Sequence, residues 1–287
     1  MEYLALLLLN TFLHDKIYSD KKTKNMKKIL ILSFAAITFF SCKKSSNSNP
    51  NPPGGGNTVD TIGTVYAAGY RYDEKKKKTI ATYWRGADAV SLTDGTKDAY
   101  ATGITMVGND VYVAGYESTG TNTAIAKYWK NGISTNLTDG TKAAEASGIA
   151  VVGTDVYVAG YEFNTNGNPV AKYWKNGVAV NLTDGTRYAS AKAITIAGAD
   201  VYVAGYEYVE SGASIAKYWK NGTAINLSDE TAIHYANAIS VSGSDVYVAG
   251  LVFELITAKQ AYWKNGVLTN LPAVLNAETN SVAVNQG

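Results

Sequence analysis

The sequence predicts an all-β protein, a five-bladed β-propeller of four-stranded blades. Three observations carry the prediction: a repeat of about 45 residues from residue 65 onward, four strand-like runs in each repeat, and a composition rich in tyrosine with no helical pattern.

Val-Tyr-Val-Ala-Gly-Tyr starts at Val111, Val156 and Val201, and recurs as Val-Tyr-Val-Ala-Gly-Leu at Val246 and Val-Tyr-Ala-Ala-Gly-Tyr at Val65. The spacing is 45 residues three times and 46 once. Tyr-Trp recurs at Tyr83, Tyr128, Tyr173, Tyr218 and Tyr262, and Lys-Asn-Gly follows it in four copies. Leu-Thr-Asp-Gly-Thr follows at Leu92, Leu137 and Leu182, decaying to Leu-Ser-Asp-Glu-Thr at Leu227 and Leu-Pro at Leu271.

Within one unit, residues 147–152 read as a first strand turned by Gly153-Thr154-Asp155, and residues 156–162 as a second, apolar on both faces. A sheet covered on both faces is what a blade stacked between blades requires. Residues 170–174 are the third strand, Lys175-Asn176-Gly177 a tight hairpin turn, and residues 178–182 the fourth. No stretch as long as ten residues keeps a 3.6-residue period, which excludes helical solenoids. A β-solenoid is the remaining alternative, although its coils are shorter and lack paired Asn-Gly hairpins. The last residues, 281–285, resemble another first strand, and are expected either to complete the first blade and close the ring or to open a sixth unit.

The motifs Ala-x-x-Ile, Val-Ala-Gly-Tyr and Tyr-Trp-Lys-Asn-Gly resemble bacterial extracellular repeat proteins of the HAF and kelch-like propeller type, over residues 65 to about 271. The resemblance implies an architecture and no single activity, since such groups hold enzymes, lectins and proteins of no known activity. Blade number and size are also similar to those of five-bladed tachylectin-type lectins, as an analogy with no lectin motif matched.

Residues 59–287 are assigned to the propeller, preceded by three shorter segments. Residues 26–42 read as a signal peptide, with Lys27 and Lys28 before an apolar run at 29–40 that is too short to span a bilayer. Phe39, Phe40, Ser41 and Cys42 resemble a lipoprotein lipobox, with Phe39 standing where leucine is usual, and the resemblance implies lipidation of Cys42, the chain's only cysteine. Residues 43–58 are rich in Ser, Asn, Pro and Gly and read as a flexible tether. Residues 1–25 are expected to be a non-native upstream extension, with Met26 the true start.

Net charge is +2, but eight of 26 basic residues and three of 24 acidic ones precede residue 45, leaving 18 − 21 = −3 beyond it. A folded part with that balance and no basic stripe excludes nucleic acid as the expected partner. The run Lys75 to Lys78 reads as a solvated loop tip.

Signs of catalysis are few. His234 is the only histidine after residue 14, so repeated His-rich metal sites and a repeated triad are excluded, and it reads as a surface loop residue. Asp110, Asp155, Asp200 and Asp245, and likewise Asp94, Asp139, Asp184 and Asp229, recur by blade and read as turn-formers bonding nearby backbone amides, with weak calcium sites as the alternative. Asp98, Glu145, Glu210 and Glu230 are the non-repeated carboxylates a glycosidase would draw on. Trp84, Trp129, Trp174, Trp219 and Trp263 read as packing between blades rather than sugar platforms. No cofactor and no metal is expected.

Variation concentrates in the loops between second and third strands and in those leading to the next blade, which emerge on one face of a propeller. Arg71 and Tyr72 lie in the first series; Tyr188 lies in the second, which also brings Tyr100, Glu145, Ser190 and Tyr235 to one equivalent position, expected near the central mouth. These seven are the candidate ligand-binding residues. The sequence therefore predicts a noncatalytic, monomeric binding module, lipid-anchored in the bacterial envelope at the outer membrane, that presents its variable face to a glycan or an envelope protein. The alternatives are an assembly component of an envelope complex and a carbohydrate-active hydrolase or lyase.

Overall fold

The computed structural model describes residues 64–121, 123–254, 257–272 and 282–283. The segments 1–25, 26–42 and 43–58, with Cys42, lie outside the described residues.

The described residues form nineteen strands and no helix, arranged as five antiparallel sheets. The first has three strands, β1 (Tyr66–Asp73), β2 (Lys78–Arg85) and β3 (Asp88–Ser91). The second runs β4 (Ala99–Val107), β5 (Asp110–Ser118), β6 (Ala124–Lys130) and β7 (Ile133–Asn136), and the third β8 (Ala144–Val152), β9 (Asp155–Phe163), β10 (Pro169–Lys175) and β11 (Val178–Asn181). The fourth is β12 (Ala189–Ala197), β13 (Asp200–Tyr208), β14 (Ser214–Lys220) and β15 (Thr223–Asn226); the fifth is β16 (His234–Ser242), β17 (Asp245–Glu254), β18 (Thr257–Lys264) and β19 (Val267–Asn270). Each sheet is a meander in sequence order, and β4, β8, β12 and β16 lie against one another in turn, as the inner strands of successive blades. Of the predicted closing segment 281–285 only Val282 and Ala283 are described, and neither is in a strand.

The first strands are three residues longer at their starts than the sequence suggests, because each carries a bulge. Register shifts between Ala101 and Gly103, Ala146 and Gly148, Ala191 and Ala193, and Ala236 and Ala238 leave Thr102, Ser147, Lys192 and Asn237 as extra residues. An extra residue breaks the two-residue alternation, so the pattern is legible only beyond it. For the same reason His234 begins β16 rather than lying in a loop; Arg71 and Tyr72, expected in a loop, belong to β1, where they pair without a bulge with Ile80 and Thr79. Thr102 Oγ1 donates to Ala146 O at 2.7 Å, tying β4 to β8.

The tryptophans form the seams. Val113, Val158, Val203 and Val248 pair across the sheet with Trp129, Trp174, Trp219 and Trp263, and all eight are 1% exposed. Trp129 packs with Ala68, Ala81 and Leu92 of the first sheet, and Trp174 with Tyr112, Ala114, Ala126 and Leu137 of the second. Burial of a side chain this large stabilises each seam by several kcal/mol, on the scale of the roughly 3–5 kcal/mol that truncating such a residue costs. Trp84, in the first sheet, is half-buried among the described residues.

The hairpin turns follow the predicted chemistry. Asn131, Asn176, Asn221 and Asn265 have φ of 50–52° and are each followed by a positive-φ glycine, the left-handed pair that a two-residue hairpin needs. The aspartates before each second strand depart from expectation. Asp110 accepts from Asn131 Nδ2 at 2.8 Å and from Lys130 Nζ at 3.0 Å, while the backbone amide of Val111 donates to Asn131 Oδ1 at 2.9 Å. The asparagine thus meets the backbone and the aspartate meets side chains, because the aspartate opens its strand directly opposite the hairpin. Asp94, Asp139, Asp184 and Asp229 do form local turns, accepting from the backbone amide and hydroxyl of the threonine two residues on.

Candidate functional site

The two variable loop series share one face. Thr123 Oγ1 donates to Gly140 O, Asn164 Nδ2 to Gly185 O and Lys76 Nζ to Asp94 O, so loops joining second to third strands lean on the loops that lead to the next sheet.

At this end of the inner strands, Tyr100, Glu145, Ser190 and Tyr235 occupy equivalent positions, opposite Tyr116, Tyr161, Tyr206 and Leu251 on the second strands. Tyr100 stacks on Tyr116 at 5.0 Å and meets Tyr70 of the first sheet edge-on at 4.9 Å. Tyr235 meets Tyr206 of the fourth sheet at 4.7 Å and Phe253 at 6.0 Å, and its hydroxyl is 2.7 Å from that of Tyr208. Tyr188 closes this second group, 5.2 Å from Tyr208 and 6.4 Å from Tyr206. Rings at such separations, mostly edge-to-face, hold one another in place beyond their burial.

Four of the tyrosine rings, Tyr70, Tyr100, Tyr188 and Tyr208, are half-buried and retain surface toward solvent. Burial raises the Tyr100 phenol above its ordinary value, and the nearby carboxylates Asp98 and Glu145 add to it. Lys192 lies 5.4 Å from the Tyr206 ring, a cation on the aromatic wall.

The seven candidates are therefore not one cluster. Tyr100, Tyr188 and Tyr235 join aromatic groups, and Glu145 acts on Tyr100. Ser190 has no exposed surface and its hydroxyl has no partner among the described residues. Tyr235 is 7% exposed and offers little more than its hydroxyl. Arg71 donates to Ser91 on the outer strand at 3.1 Å, and Tyr72, 54% exposed, joins no aromatic pair. Tyr208 opens one of the variable loops that the sequence places on this face, residues 208–214, while Tyr70, which ends the recurring Ala-Gly-Tyr, and Lys192 are not among the sequence candidates.

Two of the non-repeated carboxylates are held by cations or amides. Asp98 accepts from Lys78 Nζ at 3.0 Å and from the Thr79 amide at 2.9 Å, and Glu230 lies 4.0 Å from Arg187. Among the described residues no group of three His, Cys, Asp or Glu side chains is placed to hold a metal ion.

No protein-family model matches the chain, and no curated protein matches it. Among solved structures, TolB from Acinetobacter baumannii aligns with 72% of this chain and 52% of its own length, at 12% identity and a TM-score of 0.48. The alignment spans about half of TolB, and a likeness of this degree assigns neither partner nor activity.

Proposed function

We propose that this chain is a noncatalytic binding module of the bacterial envelope, lipid-anchored through Cys42, that takes a glycan on its variable loop face. The observation that supports it is the pair of tyrosine groups, Tyr70–Tyr100–Tyr116 and Tyr188–Tyr206–Tyr208–Tyr235, gathered at one end of the inner strands. Half-buried rings offer apolar faces to the C–H side of a sugar, and their hydroxyls, with Glu145, offer the donors and acceptors that its hydroxyl groups require.

A glycan array probed with the full chain tests the reading. Selective binding that Tyr208→Phe and Tyr100→Ala weaken is the expected result. Binding to no glycan would overturn it and favour a protein partner within an envelope assembly, sought by crosslinking.

A further inference from the structure

The seam between the first and second sheets holds an open cavity of about 350 Å³ whose lining includes Thr93, Asp94, Lys97, Glu117, Lys127 and Trp129. It reaches to the outer part of the blade, since Lys127 and Trp129 belong to β6 and Ser134 to the outermost strand β7. Lys127 is 5% exposed and its ammonium donates to Glu117, with the Trp129 ring 5.9 Å away. Thr93 Oγ1 is buried without a hydrogen-bond partner, whereas the equivalent Thr138, Thr183 and Ser228 hydroxyls accept from the amides of Ala126, Ala171 and Ala216.

The polar set repeats and then vanishes as a unit. Glu162 and Lys172 with Trp174, and Glu207 and Lys217 with Trp219, repeat Glu117, Lys127 and Trp129, and Lys142 and Arg187 repeat Lys97. At the fourth seam Val252 replaces the glutamate, Ala261 the lysine and Ala232 the outer cation, while Trp263 and Leu227 stay buried. In the first sheet the pair positions hold Arg71 and Thr82. The blade therefore forms without the ion pair. Taking two charges out of water costs several kcal/mol per ion before their attraction offsets it, so a buried pair that the fold does not need points to another role.

We propose that the first seam binds a single neutral sugar ring, held through adjacent hydroxyls by Glu117 and Lys127, and that the second and third seams carry the same site. A carboxylate has about four acceptor positions and an ammonium three donors, and their mutual bond leaves most of both for a ligand that donates and accepts at neighbouring atoms. Lys97 and Lys127 balance Asp94 and Glu117, so the cavity is formally neutral and a charged ligand would lack a counter-ion. The Thr93 hydroxyl supplies an unused hydrogen-bonding group. The inference shares the glycan reading of the tyrosine face but none of its residues.

Calorimetric titration of the full chain with glucose, galactose, mannose and N-acetylglucosamine tests it. One of the four is expected to bind with three sites per chain, and Glu117→Val with Lys127→Ala, which gives the first seam the residues the fourth already carries, is expected to leave two. Thr93→Val removes a hydroxyl that supports nothing in the fold, and is expected to weaken one site of three about tenfold with the melting temperature unchanged. Binding by none of the four sugars, or a stoichiometry and affinity indifferent to all these changes, would overturn the proposal. Tyr100→Ala and Tyr208→Phe leave these sites intact, so failure on the array and failure at the seams are separate results.

Discussion

The carbonyl oxygen of Glu145 occupies the space that a Cβ on Gly160 would need, and Tyr100, Ser190 and Tyr235 stand in the same relation to Gly115, Gly205 and Gly250. The glycine of Val-Ala-Gly-Tyr is thus required by the approach of the bulged inner strand and not by backbone conformation, for no positive φ occurs there. Gly160→Ala is expected to destabilise the protein by roughly 1–3 kcal/mol or more, since the obstacle is backbone. Gly153→Ala, at φ 59° in open space, is expected to cost about 1 kcal/mol of left-handed strain. Urea melts of the two variants compare these effects.

Asp110, Asp155, Asp200 and Asp245 titrate below the ordinary aspartate value, through asparagine first for Asp110 and Asp155 and through lysine first for Asp200 and Asp245. A carboxyl whose folded value is depressed contributes stability that is fully present above its unfolded value of about 4 and is lost as pH falls through the folded value. The melting temperature is therefore expected to drop as pH is taken below about 4. Replacing all four by asparagine flattens that slope, which thermal melts across the acid range measure.

Asn176 Oδ1 accepts from the Val156 amide at 2.9 Å and Nδ2 donates to Asp155 at 2.8 Å, from a residue held at φ 52°. Asn176→Ala loses both bonds and adds strain, and is expected to cost about 2 kcal/mol; Asn176→Gly, which accepts the conformation, is expected to recover part of it. Chemical denaturation of both variants checks the order.

The hydroxyls of Tyr208 and Tyr235 bond across the fourth seam. Tyr208→Phe and Tyr235→Phe are each expected to cost about 1 kcal/mol, and the double variant less than their sum, because the second removal finds the bond already gone. A double-mutant cycle by denaturant unfolding gives the coupling.

The strands and hairpins were legible because their signals are local. Val156 to Tyr161 repeats with period two, and Asn176-Gly177 fixes its turn within two residues. The bulges were not, because Ser147 looks like any strand residue until its neighbours Ala146 and Gly148 are seen to pair with Gly160 and Ala159 and leave it out. Ser190 shares the register of Tyr100, opposite Tyr206 as Tyr100 is opposite Tyr116, yet it is wholly buried, and the depth of a short side chain among large rings is not written in its place in the repeat. Lys127, Lys172 and Lys217 carried a readable signal, a charge inside the apolar run Ala-Lys-Tyr-Trp, but their glutamate partners lie ten residues upstream on the neighbouring strand.

Each seam tryptophan lies later in the chain than the alanines and leucine it covers: Trp129 follows Ala68, Ala81 and Leu92, and Trp174 follows Ala114, Ala126 and Leu137. A chain synthesised or translocated from its N-terminus thus presents every socket before the plug that fills it. Each new repeat finds a finished surface to dock on, and growth has a built-in direction.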